Sequence, residues 1–82
     1  MPKDIECGGF YIEVRLKEAN HKHIPHCHVH FKDGSSLWVS LVVTEKTVRT
    51  SGKVKAKNLA VALKAIDFYF EELTTLWEER HG

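Results

Sequence analysis

Apolar and polar residues alternate along three short stretches in the first half of the chain. Every second residue is apolar in residues 10–16, in residues 26–32 and in residues 37–43. Successive side chains of a β-strand point to opposite faces, so each stretch predicts a strand with one face turned towards a core. A fourth, shorter strand is predicted at residues 47–50, just before Gly52.

The segments between these strands carry turn-forming residues. Asp33-Gly34 joins the second and third strands, and an Asp-Gly pair readily adopts the positive φ of a tight hairpin turn. Residues 17–25 are mostly polar and end at Pro25, which indicates a loop.

The second half of the chain has the period of a helix. Apolar residues recur at spacings of three and four within residues 55–80, and neither Gly nor Pro interrupts the chain between Lys53 and His81. This stripe predicts one long amphipathic helix whose apolar face covers one face of the sheet. The expected fold class is therefore α+β: a three- to four-stranded antiparallel sheet packed by one long C-terminal helix, as a single domain over residues 1–82.

Composition narrows the classes of function. Hydrophobic residues make up 43% and charged residues 28% of the chain, which is typical of a globular protein. The net charge of +1 excludes a global electrostatic field that would recruit nucleic acid or a membrane surface. Cys7 and Cys27 form no Cys-x-x-Cys pair, and no apolar stretch follows Met1. We therefore expect a cytoplasmic protein with free thiols and no membrane partner.

Five of the six histidines lie between His21 and His30. Alternate residues of a strand share a face about 6.5–7 Å apart, so two neighbouring imidazoles can bind one Zn²⁺ or another divalent transition metal. A third ligand must then be His21, His23, a cysteine or a carboxylate from the loop, and the candidate set is His23, His26 and His28. This arrangement would suit a metal-dependent hydrolase or nuclease. The alternative is that these histidines simply occupy the polar face of a strand.

Basic residues gather where the predicted helix begins. A helix N-terminus with free N–H groups and added positive charge attracts phosphate, so the segment is a candidate anion or nucleic-acid site. Its residues are Arg49, Lys53, Lys55 and Lys57, with Lys46 before them. The alternative is a solvated charged segment.

The segment that contains the histidines carries a family resemblance. It reads His23-Ile24-Pro25-His26-Cys27-His28-Val29. With the ending Glu72-Leu73 and Trp77, the chain resembles a family of small bacterial proteins catalogued as domain of unknown function 4160, over about residues 9–77. The family usually has an aromatic residue where Cys27 stands and a second proline where Ile24 stands.

The resemblance implies a binding role more than a catalytic one. Members are often encoded beside another small protein, in pairs that look like toxin–antitoxin or regulatory modules. The chain is therefore expected to be an antitoxin-like binding module without catalytic residues. Trp38, His28 and His30 are the candidate protein interface, because all three belong to the polar faces of the predicted strands. A homodimer through an edge strand is a further expectation, since an open sheet edge invites pairing.

Overall fold

The computed structural model describes residues 4–15, 24–44 and 47–81. Within these ranges the chain forms five strands followed by two helices. The strands are β1 (Ile5–Cys7), β2 (Phe10–Glu13), β3 (His26–Phe31), β4 (Ser36–Ser40) and β5 (Val48–Ser51). The helices are α1 (Ala56–Phe68) and α2 (Phe70–His81).

The strands form one antiparallel sheet in which each strand pairs with its neighbours in the chain, in the order β1-β2-β3-β4-β5. The predicted Asp-Gly turn joins β3 and β4. Gly34 has a φ of 90°, and its N–H donates to the carbonyl oxygen of Phe31 at 3.1 Å. The carboxylate of Asp33 accepts the N–H of Ser35 at 2.9 Å, which closes the turn.

One face of the sheet packs against the helices and forms the core. The alternation predicted this face correctly for Ile12, Val29 and Val39, which are all buried. The helices contribute Ala62, Ile66, Leu73 and Trp77 as their buried residues. Val43 was expected on the same inward face, but it lies beyond the end of β4 and is 69% exposed.

Two features of the predicted architecture need correction. The sheet has five strands rather than three or four, because the short segment Ile5–Cys7 pairs with β2. The single helix predicted over residues 55–80 is divided at Tyr69, whose φ and ψ are −98° and 18°. Hydrogen bonds still continue across the division, from the Tyr69 N–H to the Ala65 carbonyl oxygen and from the Leu73 N–H to the Tyr69 carbonyl oxygen, both at 2.9 Å.

The strand bounds also differ from the prediction. The first predicted strand ends at Glu13, the second ends at Phe31 where the turn begins, and the third covers Ser36–Ser40 instead of residues 37–43. The shorter strands leave residues 14, 15 and 41 outside the regular elements, Val42 in a single β-bridge and Val43 in a turn. Leu16 of the first predicted strand lies outside the described residues.

The end of α2 is attached to the end of the sheet. The guanidinium of Arg80 donates hydrogen bonds to both carboxylate oxygens of Asp4, at 2.7 and 2.8 Å, and also to the carbonyl oxygen of Val14. Nε2 of His81 donates to the carbonyl oxygen of Arg15 at 2.7 Å. These bonds place the last turn of α2 beside the ends of β1 and β2. Neither helix is long and apolar enough to cross a membrane, as far as the described residues go.

Candidate binding surface

Five ring-bearing residues share the sheet face opposite the core. Because side chains alternate along each strand, the inward positions of Ile12, Val29 and Val39 turn their neighbours to this second face. We call this set the ring surface. Its residues are Tyr11 from β2, His26, His28 and His30 from β3, and Trp38 from β4.

The rings contact one another in a continuous series. The ring of Tyr11 stacks on that of His30, with centroids 4.8 Å apart and planes inclined by 22°. The ring of His28 lies 6.3 Å from that of His30 and 5.2 Å from that of His26. His26 in turn stacks on Trp38, at 5.0 Å and 24°. Mutual packing of this kind restricts the rotamers of the rings before any ligand arrives.

A row of four opposed residues crosses the ring surface from β2 to β5. Glu13 stands opposite His28, His28 opposite Trp38, and Trp38 opposite Arg49. The guanidinium carbon of Arg49 lies 5.0 Å from the ring centroid of Trp38, within the range of a cation–π contact. The sequence predicts that Arg49 lies with the lysines before α1, whereas the structure places its guanidinium against Trp38 of the ring surface.

Glu13 lies on this face of the sheet, yet it is only 2% exposed. Its Oε1 accepts a hydrogen bond from Nε2 of His30 at 2.8 Å and one from Nε of Arg15 at 3.3 Å. Burying a carboxylate is costly unless it is paired and hydrogen-bonded, and these two donors meet that requirement. The alternation predicted the face of Glu13 but not its burial, because it does not reveal that a histidine of the next strand lies above the carboxylate.

His28 is held in its neutral form. Burial lowers the pKa of His28 from 6.5 to about 4, and the charges of Arg15 and His26 act in the same direction, while the charge of Glu13 opposes them. At pH 7 this imidazole therefore carries one N–H donor and one acceptor nitrogen. A neutral imidazole of this kind can donate one hydrogen bond to a partner and accept one from it.

His26 was expected on an open polar face, but it is only 7% exposed. Its ring lies between Trp38 and Trp77, with centroids 5.0 and 4.8 Å away. Its Nδ1 lies 2.7 Å from the carbonyl oxygen of Ile24, which can only accept, so Nδ1 carries the proton of that bond. Trp77 therefore covers one end of the ring surface.

Helix α2 extends the series of rings. The rings of Trp77 and His81 stack at 3.6 Å with planes inclined by 8°. The two residues are four apart on a helix, so their side chains share one face. Trp77 lies within the apolar stripe predicted for the helix, and no feature of the sequence pairs it with His26.

The proposed metal site cannot be completed from the described residues. His23 lies outside them, and His26 and His28 form a pair of neighbouring rings. In the ranges 4–15, 24–44 and 47–81, no three His, Cys, Asp or Glu side chains are arranged to hold a metal ion. Binding of Zn²⁺ or another divalent metal through His23, His26 and His28 stays a prediction.

Comparison with family models, with curated proteins and with solved structures found no match for this chain. The assignment of function therefore depends on the chemistry of the surfaces that the fold presents.

The lysines at the start of α1 are separated from Arg49. Lys55 precedes the first residue of α1, and no side chain caps the helix there. Hydrogen bonds from Ser35 are the main cause that lowers the pKa of the Asp33 carboxyl in the β3–β4 turn. The charge of Lys55 lowers this pKa further. Lys53 and Lys57 are exposed. The predicted basic site is thus divided between the ring surface and the start of α1.

Proposed function

We propose that this chain is a protein-binding module without catalysis, and that its ring surface is the docking site for a small partner protein. The observation that supports this best is the continuous series of contacting rings from Tyr11 to Trp38, on the sheet face away from the core. The resemblance to domain of unknown function 4160 adds a candidate for the partner. It is the product of a neighbouring gene, in a two-protein pair of the antitoxin type.

The residue types of the ring surface favour tight binding. Tryptophan, tyrosine and arginine supply most of the energetically dominant residues in protein interfaces. Here Trp38 lies on β4 with Arg49 of the edge strand against it, and Tyr11 lies two strands away on β2. The rings already pack against each other, so ordering them on binding costs little conformational entropy.

The orientation of the rings favours a protein over nucleic acid. Single-stranded nucleic acid binds by stacking its bases on free aromatic faces. On this surface Tyr11 is stacked with His30, and Trp38 has both His26 and the Arg49 guanidinium against it. Faces used in this way leave ring edges and the imidazole nitrogens of His28 for the partner, and these suit the mixed polar and apolar surface of a protein.

The test is a binding titration with the product of the adjacent gene. Trp38→Ala is expected to weaken the complex by about thirtyfold or more, since truncation of a central hot-spot residue costs at least about 2 kcal/mol. Val61→Ala is the matched control, because Val61 is 47% exposed on helix α1. Equal affinity for wild type and Trp38→Ala would refute the docking site. A single-stranded oligonucleotide that binds instead, with steep salt dependence, would favour nucleic acid.

A metal-dependent hydrolase or nuclease is the second candidate. It is favoured by the neutral state of His28 beside His26, because neutral imidazole is the form that binds Zn²⁺. Elemental analysis of untagged protein, prepared without chelator, decides between the two. Stoichiometric metal in the wild type and its loss in His28→Gln would favour the metal site, whereas metal-free wild type would support the binding module.

A further inference from the structure

Strand β5 forms one outer edge of the sheet. All four of its residues are exposed, and in the described part of the chain it pairs only with β4. The other edge strand, β1, has three residues, and Asp4 just before it is bonded to Arg80 of α2. Strand β5 is therefore the more accessible edge for pairing with another strand.

The direction of the backbone groups of β5 follows from its pairing. The Ser40 N–H donates to the Thr47 carbonyl oxygen at 3.0 Å, so these two residues form a hydrogen-bonded pair. Such pairs alternate with non-hydrogen-bonded pairs along an antiparallel ladder. Arg49 and Ser51 therefore exchange hydrogen bonds with β4. The N–H and C=O groups of Val48 and Thr50 point outwards from the sheet.

An apolar groove adjoins the core-side face of β5. It has a volume of about 470 Å³ and lies between α1 and the ends of β4 and β5. Val43, Val48, Leu63 and Phe70 belong to its lining, and Asp67 is its charged residue. Val48 is 37% exposed. Outward backbone groups and exposed apolar side chains thus occur together at this edge.

We infer that the edge binds a second copy of this chain, through antiparallel pairing of two β5 strands. Directly opposed residues of an antiparallel pair point to the same face, whereas successive residues point to opposite faces. If the two-fold axis passed between Arg49 and Thr50, Arg49 of one copy would stand opposite Thr50 of the other. Their side chains point to different faces of the sheet, so this arrangement is excluded. The axis must therefore pass through a residue.

The charges and apolar groups of β5 select that residue. An axis through Arg49 would set two guanidinium groups directly opposite each other, which is unfavourable. An axis through Thr50 would leave Val48 opposite Gly52, whose φ of 79° departs from strand geometry. With the axis through Val48, Val48 of one copy stands opposite Val48 of the other, and Arg49 of each copy stands opposite Thr47 of the other. This arrangement also covers the exposed apolar side chain and uses the outward N–H and C=O groups of Val48.

This dimer has a consequence for the ring surface, although it does not depend on the function proposed for that surface. Arg49 lies on the ring side of β5, so pairing of two β5 strands places both ring surfaces on the same side of one ten-stranded sheet. Two partner sites would then be presented side by side.

Sedimentation velocity across a dilution series of the full chain tests the association itself. The wild type is expected to form a dimer, and Val48→Lys to raise its dissociation constant at least about tenfold, because two lysines then face each other across the axis. Val61→Lys, on helix α1, is the control and should leave the dimer intact. A wild type that stays monomeric at every concentration would overturn the inference, as would a dimer that Val48→Lys leaves unchanged.

Cysteine cross-linking tests the register and does not depend on the lysine variant. In a Cys7→Ser background, Val48→Cys places two thiols on residues whose Cα atoms are about 5.5 Å apart, a separation that a disulfide spans. Thr50→Cys places them about 13 Å apart, too far for a bond. A rapid disulfide in Val48→Cys alone supports the proposed axis. Cross-linking through Thr50→Cys and not Val48→Cys would overturn it.

Discussion

Nε2 of His30 donates a hydrogen bond of 2.8 Å to Oε1 of Glu13, and this bond joins β3 to β2 underneath the ring surface. Glu13 is buried, and the same oxygen accepts a second bond from Arg15. Tyr11 stacks on the face of the His30 ring. The Glu13 carboxylate thus orients the His30 ring at one end of the ring surface, although a binding partner would scarcely contact this buried carboxylate.

Glu13→Gln should destabilise the protein by about 1–2 kcal/mol at pH 7. The substitution keeps the shape of the side chain but replaces bonds to a charged acceptor, which contribute about 1.5–3 kcal/mol, with weaker neutral ones. The free energy of unfolding from urea titration measures the effect. Glu72→Gln, on the exposed surface of α2, is the control and should change it little. Equal losses in the two variants would show that the Glu13–His30 bond has no special role.

His28 should make stability depend on pH. The imidazole has an ordinary pKa of 6.5 in the unfolded chain, and burial lowers the pKa to about 4 in the folded protein. Between these values the unfolded chain binds a proton that the folded protein does not. Stability should therefore fall as the pH drops from about 6.5 to about 4, and this residue should have no effect above that window.

The expected loss from His28 is about 1 kcal/mol, because solvent screens a ring that is partly exposed. The charges of Arg15, His26, Glu13 and His30 also act on His28, so the informative quantity is the difference between wild type and His28→Gln. Urea titrations at pH 7 and pH 5 should give a smaller pH effect for the variant. An identical pH effect in the two proteins would contradict the prediction.

The parts of the fold that the sequence predicted are those governed by local patterns. Alternation identified β2, β3 and β4, and the Asp33-Gly34 pair identified the turn between β3 and β4. Strand β1 was missed because three residues are too few for a pattern of period two to be recognised. The division of the helix at Tyr69 was missed because the apolar stripe continues through it without Gly or Pro.

The candidate surface was predictable only in outline. Periodicity placed the three histidines on the face of β3 opposite Cys27, and Trp38 was a candidate for the same sheet face. It could not give the register that brings Arg49 onto Trp38, nor the burial of His26 beneath Trp77. Both depend on contacts between residues far apart in the chain, and a repeat of two or four residues contains no information about such contacts.

The two cysteines should differ in reactivity. Cys27 is fully buried in the core, and burial raises its pKa to about 12, so almost no thiolate is available at pH 8. Cys7 is partly exposed, although burial raises its pKa as well. Iodoacetamide at pH 8, followed by peptide mass spectrometry, should label Cys7 slowly and Cys27 only after denaturation. Labelling of Cys27 at the rate of Cys7 in the folded protein would contradict its place in the core.

Asp4 and Arg80 connect the first strand to the end of the last helix, and their pairing should contribute substantially to stability. Burial raises the pKa of Asp4, but the hydrogen bonds from Arg80 and Val14 and the charge of Arg80 outweigh it, so the pKa lies below 3.8. Asp4→Asn leaves Arg80 without its anion and should lower the free energy of unfolding by about 3 kcal/mol. This is the lower end of the range for a buried pair, because the Arg80 side chain is 21% exposed. Glu79→Gln, one residue away and exposed, is the control.

A double-mutant cycle separates the Asp4–Arg80 pair from the packing of each side chain. Asp4→Asn combined with Arg80→Met should cost less than the sum of the two single changes, because neither charge is then left unpaired. The folded-state pKa of Asp4 is depressed, so the contribution of the pair is present above about pH 3.8 and is lost as the pH falls below that value. Additive losses in urea titration at pH 7 would show that the pairing of Asp4 with Arg80 does not stabilise the folded protein.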